Sequence, residues 1–188
     1  MPCDITTWHP VAAAILVGGQ SRRMGQPKHT MVWRDHRTMG ADMVALARQV
    51  CDIVIASGPR DALSEVPMIE DAPALAGQGP LAGIAAVLAC GLAPRWLIMP
   101  CDMPALQADD LQKLIAVHAP LSCCAVEGQV TPFPMCVHTA LAPSLMDYLK
   151  HGGRRVQEWV GHCQPEVLPL AGSNAVNINR PEDIPASD

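Results

Sequence analysis

The stretch VAAAILVGGQSRRMGQPK, Val11 to Lys28, decides the fold. Its first seven residues form a continuous apolar run, and Gly18 and Gly19 end it. A short unbroken apolar run that stops at paired glycines reads as a buried parallel strand entering a turn. Arg22, Arg23 and Lys28 then follow within a few residues. In an open α/β sheet, ligands bind beyond the carboxyl ends of the strands, where this loop falls.

The loop stands out because the chain around it is acidic. Between Gln20 and Arg37, five basic residues face one acid, a net +4. The whole chain is −5, which leaves −9 for the rest. Basic character is therefore local, which argues against nonspecific nucleic-acid binding. Positive charge focused on one loop suits a small polyanionic ligand. The glycine spacing is neither G-x-G-x-x-G nor G-x-x-x-x-G-K-[ST]. Gly19 is followed by five residues, Gly25, two more and then Lys28. Gly18 and Gly19 let the backbone approach a ligand closely. Exposed amides and the Ser21 hydroxyl can cradle phosphate oxygens. Arg22 offers a planar fork and Lys28 a point charge.

Outward from the loop, strands alternate with helices. Strands are expected at 11–17, 52–57, 66–71, 95–102 and 122–127. Helices are expected at 40–50, 79–92, 108–119, 141–151 and 154–162. This alternation predicts an α/β fold: a single-domain three-layer α/β/α arrangement over residues 1–188 on a mostly parallel, Rossmann-like sheet. Pro132 and Pro134 predict an edge strand or loop for the stretch that holds them. A last strand is expected at 175–179, before a Pro-started helical turn.

The composition, 49% apolar and 16% charged, is that of a globular chain. No apolar run approaches the roughly 20 residues that span a bilayer. Residues 1–10, MPCDITTWHP, lack a basic n-region and predict no signal peptide, hence a cytoplasmic protein with no membrane partner. The eight cysteines form no C-x-x-C pair and read as reduced, mostly buried thiols. The seven histidines show no metal-ligand spacing, and no Ser-His-Asp or Cys-His nucleophile pattern stands out.

Two carboxylates fall at expected strand ends: Asp71 closes VPMIED and Asp102 closes LIMPCD. Each is also a turn residue near a proline, Pro73 or Pro104. Parallel strands would bring both to the side of the glycine loop. A carboxylate beside a triphosphate is how magnesium is usually held, with few protein ligands. Gly79-Pro80 opens a helix near the loop, so the segment 78–83 is the expected wall for a nucleotide base.

Five segments carry a family resemblance: LVGGQSRRMGQPK (16–28), EDAPALAGQGPLAGI (70–84), PCDMP (100–104), GGRRVQEWV (152–160) and VNINRPEDI (176–184). In order and spacing they resemble the molybdenum cofactor guanylyltransferases, a branch of the nucleotidyltransferase superfamily with the nucleotide-diphospho-sugar-transferase-like fold. That resemblance implies transfer of GMP from magnesium–GTP to the terminal phosphate of molybdopterin. It implies GTP binding by Leu16, Val17, Gly18, Lys28, Asp71 and Asp102, with Asp102 the magnesium ligand. It implies pterin-side roles for Arg22, Arg154, Arg155, Asn177 and Asn179. Its implied partners are GTP and molybdopterin, with room for transient contact with cofactor-biosynthesis proteins or acceptor molybdoenzymes. The expected catalytic residues are Arg22, Lys28 and Asp102. Three alternatives stay open: a related enzyme using CTP, one with a sugar or other phosphate acceptor, and a non-catalytic molybdopterin- or nucleotide-binding protein. Where relatives can end the second strand in a nucleotide-binding Asn, this chain has Ala56 and Ser57.

Overall fold

A computed structural model describes residues 10–18, 26–34, 36–178 and 183. Nine strands and five helices are described: β1 (Val11–Leu16), β2 (Val32–Arg34), β3 (Arg37–Thr38), α1 (Met39–Ala47), β4 (Val54–Ser57), β5 (Met68–Ile69), α2 (Pro80–Ala89), β6 (Arg95–Pro100), α3 (Ala108–Ala116), β7 (Leu121–Val126), β8 (Gln129–His138), α4 (Ala142–Lys150), α5 (Val156–His162) and β9 (Glu166–Pro169). Lys28–Thr30 forms one turn of 3-10 helix.

Seven strands make one sheet in the order β5-β4-β1-β6-β8-β7-β9. Strand β1 pairs in parallel with β4 and β6, and β4 with β5. The period-2 alternation of a strand sends neighbouring side chains to opposite faces. Ala13 and Ile15 of β1 therefore pack with Met43, Val44 and Ala47 of α1 and Leu111 and Leu114 of α3. Ala12, Ala14 and Leu16 pack on the other face with Leu81 and Ile84 of α2, Leu145 of α4 and Trp159 of α5. Both faces are covered, so the central strands are apolar throughout, as the α/β/α expectation required. A third cluster joins Met31 and Trp33 to Met39 and Ile178.

Local chemistry sets the helix starts. The Thr38 hydroxyl accepts from the Ala41 amide and caps α1. Gln107 and Asp110 form a reciprocal capping box on α3. Helix α2 starts with Pro80 after Gly79, whose φ of 86° is costly for any residue with a Cβ.

Two expectations fail. Strand β8 is neither edge nor loop, since it runs antiparallel between β6 and β7. Its prolines are tolerated because the ladder breaks around them. Cys123 pairs with Met135 while its neighbour Cys124 pairs with Thr131, so Pro132, Phe133 and Pro134 have no partner on β7. The β6 ladder also stops at Ile98↔Met135. The missing proline N–H groups thus cost no ladder bond. The second failure lies near the C-terminus. Residues 175–178 form no strand, and the edge is taken by β9, parallel to β7. Only Leu168 of β9 is even partly buried, so no hydrophobic alternation announces that strand. Among the described residues, no helix is long and apolar enough to cross a membrane.

Candidate functional site

The carboxyl ends of β1, β4 and β6 meet at one edge of the sheet. The Val17 amide donates to the Ser57 carbonyl at 2.9 Å, and the Cys101 amide donates to the Leu16 carbonyl at 3.2 Å. These bonds hold the start of the glycine loop between the other two strand ends. Two cavities open there and share Leu16, Gly18 and Pro80 in their walls.

The first cavity is about 400 Å³ and takes in Val17, Lys28, Asp102 and Asn177. Lys28 Nζ donates to Asp102 Oδ2 at 2.7 Å. The two side chains are 19% and 21% exposed, so the pair is half-sheltered yet reachable from the cavity. The Ile178 amide donates to the Asp102 carbonyl at 2.8 Å. That bond brings Asn177 to the site without a strand. Cys101 also lines this cavity, and burial, reinforced by the neighbouring Asp102, pushes its thiol up to about 12. A thiol that stays protonated is a poor nucleophile.

The second cavity is about 450 Å³ and is lined by Ser57, Gly58, Asp71, Gly77, Gly79 and Gly83, among others. Burial raises the Asp71 carboxyl above its ordinary value, and a hydrogen bond from the Gly77 backbone opposes the rise. Gly83 is needed for packing: a Cβ there would lie 2.8 Å from Ser57 Oγ. Ser57 is 2% exposed and its hydroxyl has no hydrogen-bond partner among the described residues.

Most expected residues converge here: Leu16, Val17, Gly18, Lys28, Asp102 and Asn177 on the first cavity, Asp71 and Gly79 on the second. Gly19, Ser21, Arg22 and Asn179 lie outside the described residues. Arg154 and Arg155 line neither cavity. Arg154 Nη1 donates to the Leu149 carbonyl at 2.9 Å, tying down the end of α4. Arg155 Nη1 donates to Glu158 at 3.0 Å. Sequence reasoning missed Ser57, Met103, Thr131, Pro132 and Phe133. The available signal for the last two was PFP in an otherwise strand-like run.

Metal-binding capacity is sparse by design of the wall. Among the described residues, no group of three His, Cys, Asp or Glu side chains could hold a metal. Asp102 is a hard oxygen donor beside a cavity, which suits a divalent cation that keeps waters and phosphate oxygens as its other ligands.

Comparison with known proteins agrees with this geometry. Residues 13–165 match the MobA-like NTP transferase domain. A molybdenum cofactor guanylyltransferase of Pasteurella multocida (strain Pm70) is 36% identical over 154 residues, 77% of this chain and 80% of that protein. The solved molybdopterin-guanine dinucleotide biosynthesis protein A from Archaeoglobus fulgidus shares the fold, with a TM-score of 0.75, 18% identity and coverage of 92% and 94% of the two chains. So does Rv0371C from Mycobacterium tuberculosis H37Rv in complex with manganese, with a TM-score of 0.63, 22% identity and coverage of 96% and 95%. The match over most of the chain places it in the MobA-like NTP transferase domain family.

Proposed function

We propose that this protein transfers GMP from GTP to the terminal phosphate of molybdopterin, releasing pyrophosphate and forming molybdopterin guanine dinucleotide. The observation that carries this reading is the pair of cavities that meet at the end of β1. A two-substrate transfer needs two sites with a shared junction, so that the reacting groups are held together. GTP is assigned to the cavity of Asp71 and Gly79, with its phosphates toward Gly18 and Lys28. The acceptor is assigned to the cavity of Asp102 and Asn177. The guanylyl assignment follows the name of the Pasteurella relative.

In the reaction, an oxygen of the acceptor's terminal phosphate forms a bond to the α-phosphorus. The bond from that phosphorus to the bridging oxygen breaks, and pyrophosphate leaves with the electron pair. The acceptor phosphate is already largely ionised at neutral pH, so no side chain has to remove a proton. Lys28 neutralises charge that grows on the leaving pyrophosphate, and the amides of Gly18 and Gly19 with the Ser21 hydroxyl hold its oxygens in place, while Leu16 and Val17 anchor the loop in the sheet, the Val17 amide on the Ser57 carbonyl. Magnesium held by Asp102 would supply further charge neutralisation at the α- and β-phosphates. Arg22, Asn177 and Asn179 are proposed to orient the acceptor. A reducing cytoplasmic setting belongs to the same proposal, supported by the seven described cysteines, all free thiols.

Pyrophosphate release with molybdopterin as acceptor, measured with each nucleotide at matched magnesium, tests the reading. Base-edge hydrogen bonds can discriminate strongly, so kcat/KM for GTP is expected at least about 10²-fold above CTP and ATP. Preference for CTP would sink the guanylyl assignment. Nucleotide binding without pyrophosphate release would leave a binding protein.

A further inference from the structure

We infer that Phe133 is the platform on which the acceptor's flat ring system stacks. The inference rests on the assignment of the acceptor to the Asp102 cavity. Three observations lead to it.

The first is the break in β8. Residues 132–134 have no partner on β7, and the β6 ladder ends at Met135. Strand β8 runs against β6, so residues before Met135 lie toward Pro100 and Asp102. Bulges of this kind re-aim side chains beside active sites. The Thr131 hydroxyl donates to the Phe133 carbonyl at 2.9 Å, which fixes the irregular turn.

The second is the wall itself. Pro132 and Phe133 line the cavity that holds Lys28 and Asp102. Phe133 is the one phenylalanine of the chain and, among the described residues, the only aromatic on the walls of either cavity. It also packs against both core clusters, so its ring is held and only part of it faces the cavity.

The third is the division of chemistry between the two cavities. The Asp102 cavity combines a cation with an apolar wall of Pro132, Phe133 and Met103. The apolar wall suits the acceptor's heterocycle, which stacks on an aromatic face, while Lys28 at the junction faces the GTP phosphates that the acceptor's phosphate must meet. The second cavity is lined by glycine backbone, Ser57 and Asp71, which suits hydrogen bonding to a base edge rather than stacking.

The test uses the full chain and 6-hydroxymethylpterin phosphate, a fluorescent pterin that carries a phosphate. Wild-type protein should quench its fluorescence on binding. Phe133→Leu keeps most of the volume and removes the π face, so affinity should fall about 5-fold or more with most of the quenching lost. Phe133→Tyr should restore both. The GTP dissociation constant, measured by calorimetry, should stay unchanged in both variants, while KM for molybdopterin rises in Phe133→Leu. Wild-type affinity and quenching in Phe133→Leu would overturn the stacking role alone. A parallel loss of GTP affinity would also overturn it, since a residue that merely supports the fold would damage both sites. Wild-type protein that binds GTP but not the pterin would overturn the acceptor assignment, and the inference with it.

Discussion

Strands β5, β4, β1 and β6 run parallel and end together, whereas β8 runs against both of its neighbours. The two halves reach the same site by different physics. In the parallel half, chain direction alone delivers every strand-to-helix loop to one edge, so Gly18, Ser57 and Asp102 arrive by rule. In the antiparallel half, no loop is delivered that way. Thr131, Pro132 and Phe133 reach the first cavity because β8 loses its ladder partners just where it passes the end of β6. The parallel half supplies charge and backbone amides. The antiparallel half supplies an apolar wall.

If that division holds, the largest losses of activity come from the parallel half. Lys28→Ala should lower kcat/KM by about 10²-fold or more, about 2.7 kcal/mol, the scale of one preorganised electrostatic contact. Circular dichroism should not change. Asp102→Asn should reduce activity by a similar factor or more, about 10²- to 10³-fold, and blunt its dependence on magnesium. If Asp102 only shapes the turn, the opposite follows: a lower Tm with activity per folded molecule retained. Phe133→Leu should act more weakly and on the acceptor alone.

Two glycines sharpen the same contrast through stability. A Cβ on Gly40 would lie 2.9 Å from the His29 carbonyl and press on Leu63. A Cβ on Gly153 would run into the Tyr148 ring. Overpacking of this kind costs about 1–3 kcal/mol, or about 2–4 °C of Tm per kcal/mol in a chain of this size. Both Gly40→Ala and Gly153→Ala should therefore melt earlier. Gly40→Ala should also lower kcat/KM, because His29 carries its neighbour Lys28. Gly153→Ala disturbs Tyr148, whose hydroxyl donates to Glu158 at 2.8 Å, the same carboxylate that receives Arg155. Because Arg155 and Glu158 line neither cavity, kcat/KM and GTP affinity should stay near the wild-type values. A loss of GTP affinity in Gly153→Ala would break the division between the halves.

The parallel half was legible in the sequence because buried strands there are short apolar runs stopped by Gly or Pro. VAAAILV and DIVIAS need only composition to be recognised, and Asp71 and Asp102 follow from where such runs end. In the antiparallel half SCCAVE marked β7, but β8 and β9 were not legible, for two physical reasons. PFP breaks the strand pattern, and only the tertiary ladder reveals that the prolines fall in a gap. EVLP is mostly exposed, so β9 is held by backbone pairing to β7 and has no hydrophobic period to read. The resemblance implies a pterin-side role for Arg154 and Arg155, but neither lines a cavity, and their guanidinium groups engage the end of α4 and Glu158. Ser57 stood out only beside Ala56, in place of the Asn that relatives can carry, since a lone serine at a strand end carries no pattern of its own.

Ser57 gives a smaller prediction inside the parallel half. Its buried hydroxyl has no partner among the described residues, and an unpaired buried polar group costs about 1–3 kcal/mol. Ser57→Ala removes that cost with little change of volume and should raise Tm by a few degrees, about 2–4 °C per kcal/mol recovered. Thermal denaturation of the ligand-free protein checks it. A lower Tm would mean that the hydroxyl is paired and that the end of β4 depends on it.

The smallest effect is a pH dependence beside Lys28. His29 is 8% exposed, and burial lowers its pKa below the ordinary 6.5. Between the lowered folded value and 6.5, the unfolded chain binds more protons than the folded one. Stability therefore rises with pH through that window and falls on acidification below about 6.5. His29→Leu has similar size and cannot charge. Its Tm at pH 7 can move either way with packing, so the informative quantity is the difference from wild type as pH falls. That difference should shift in favour of His29→Leu between pH 6.5 and 5. Parallel curves for the two proteins would show that His29 takes up its proton without disturbing the fold. The turn that carries Lys28 would then owe its position to packing on Gly40 and Leu63, with no share for the neutral imidazole.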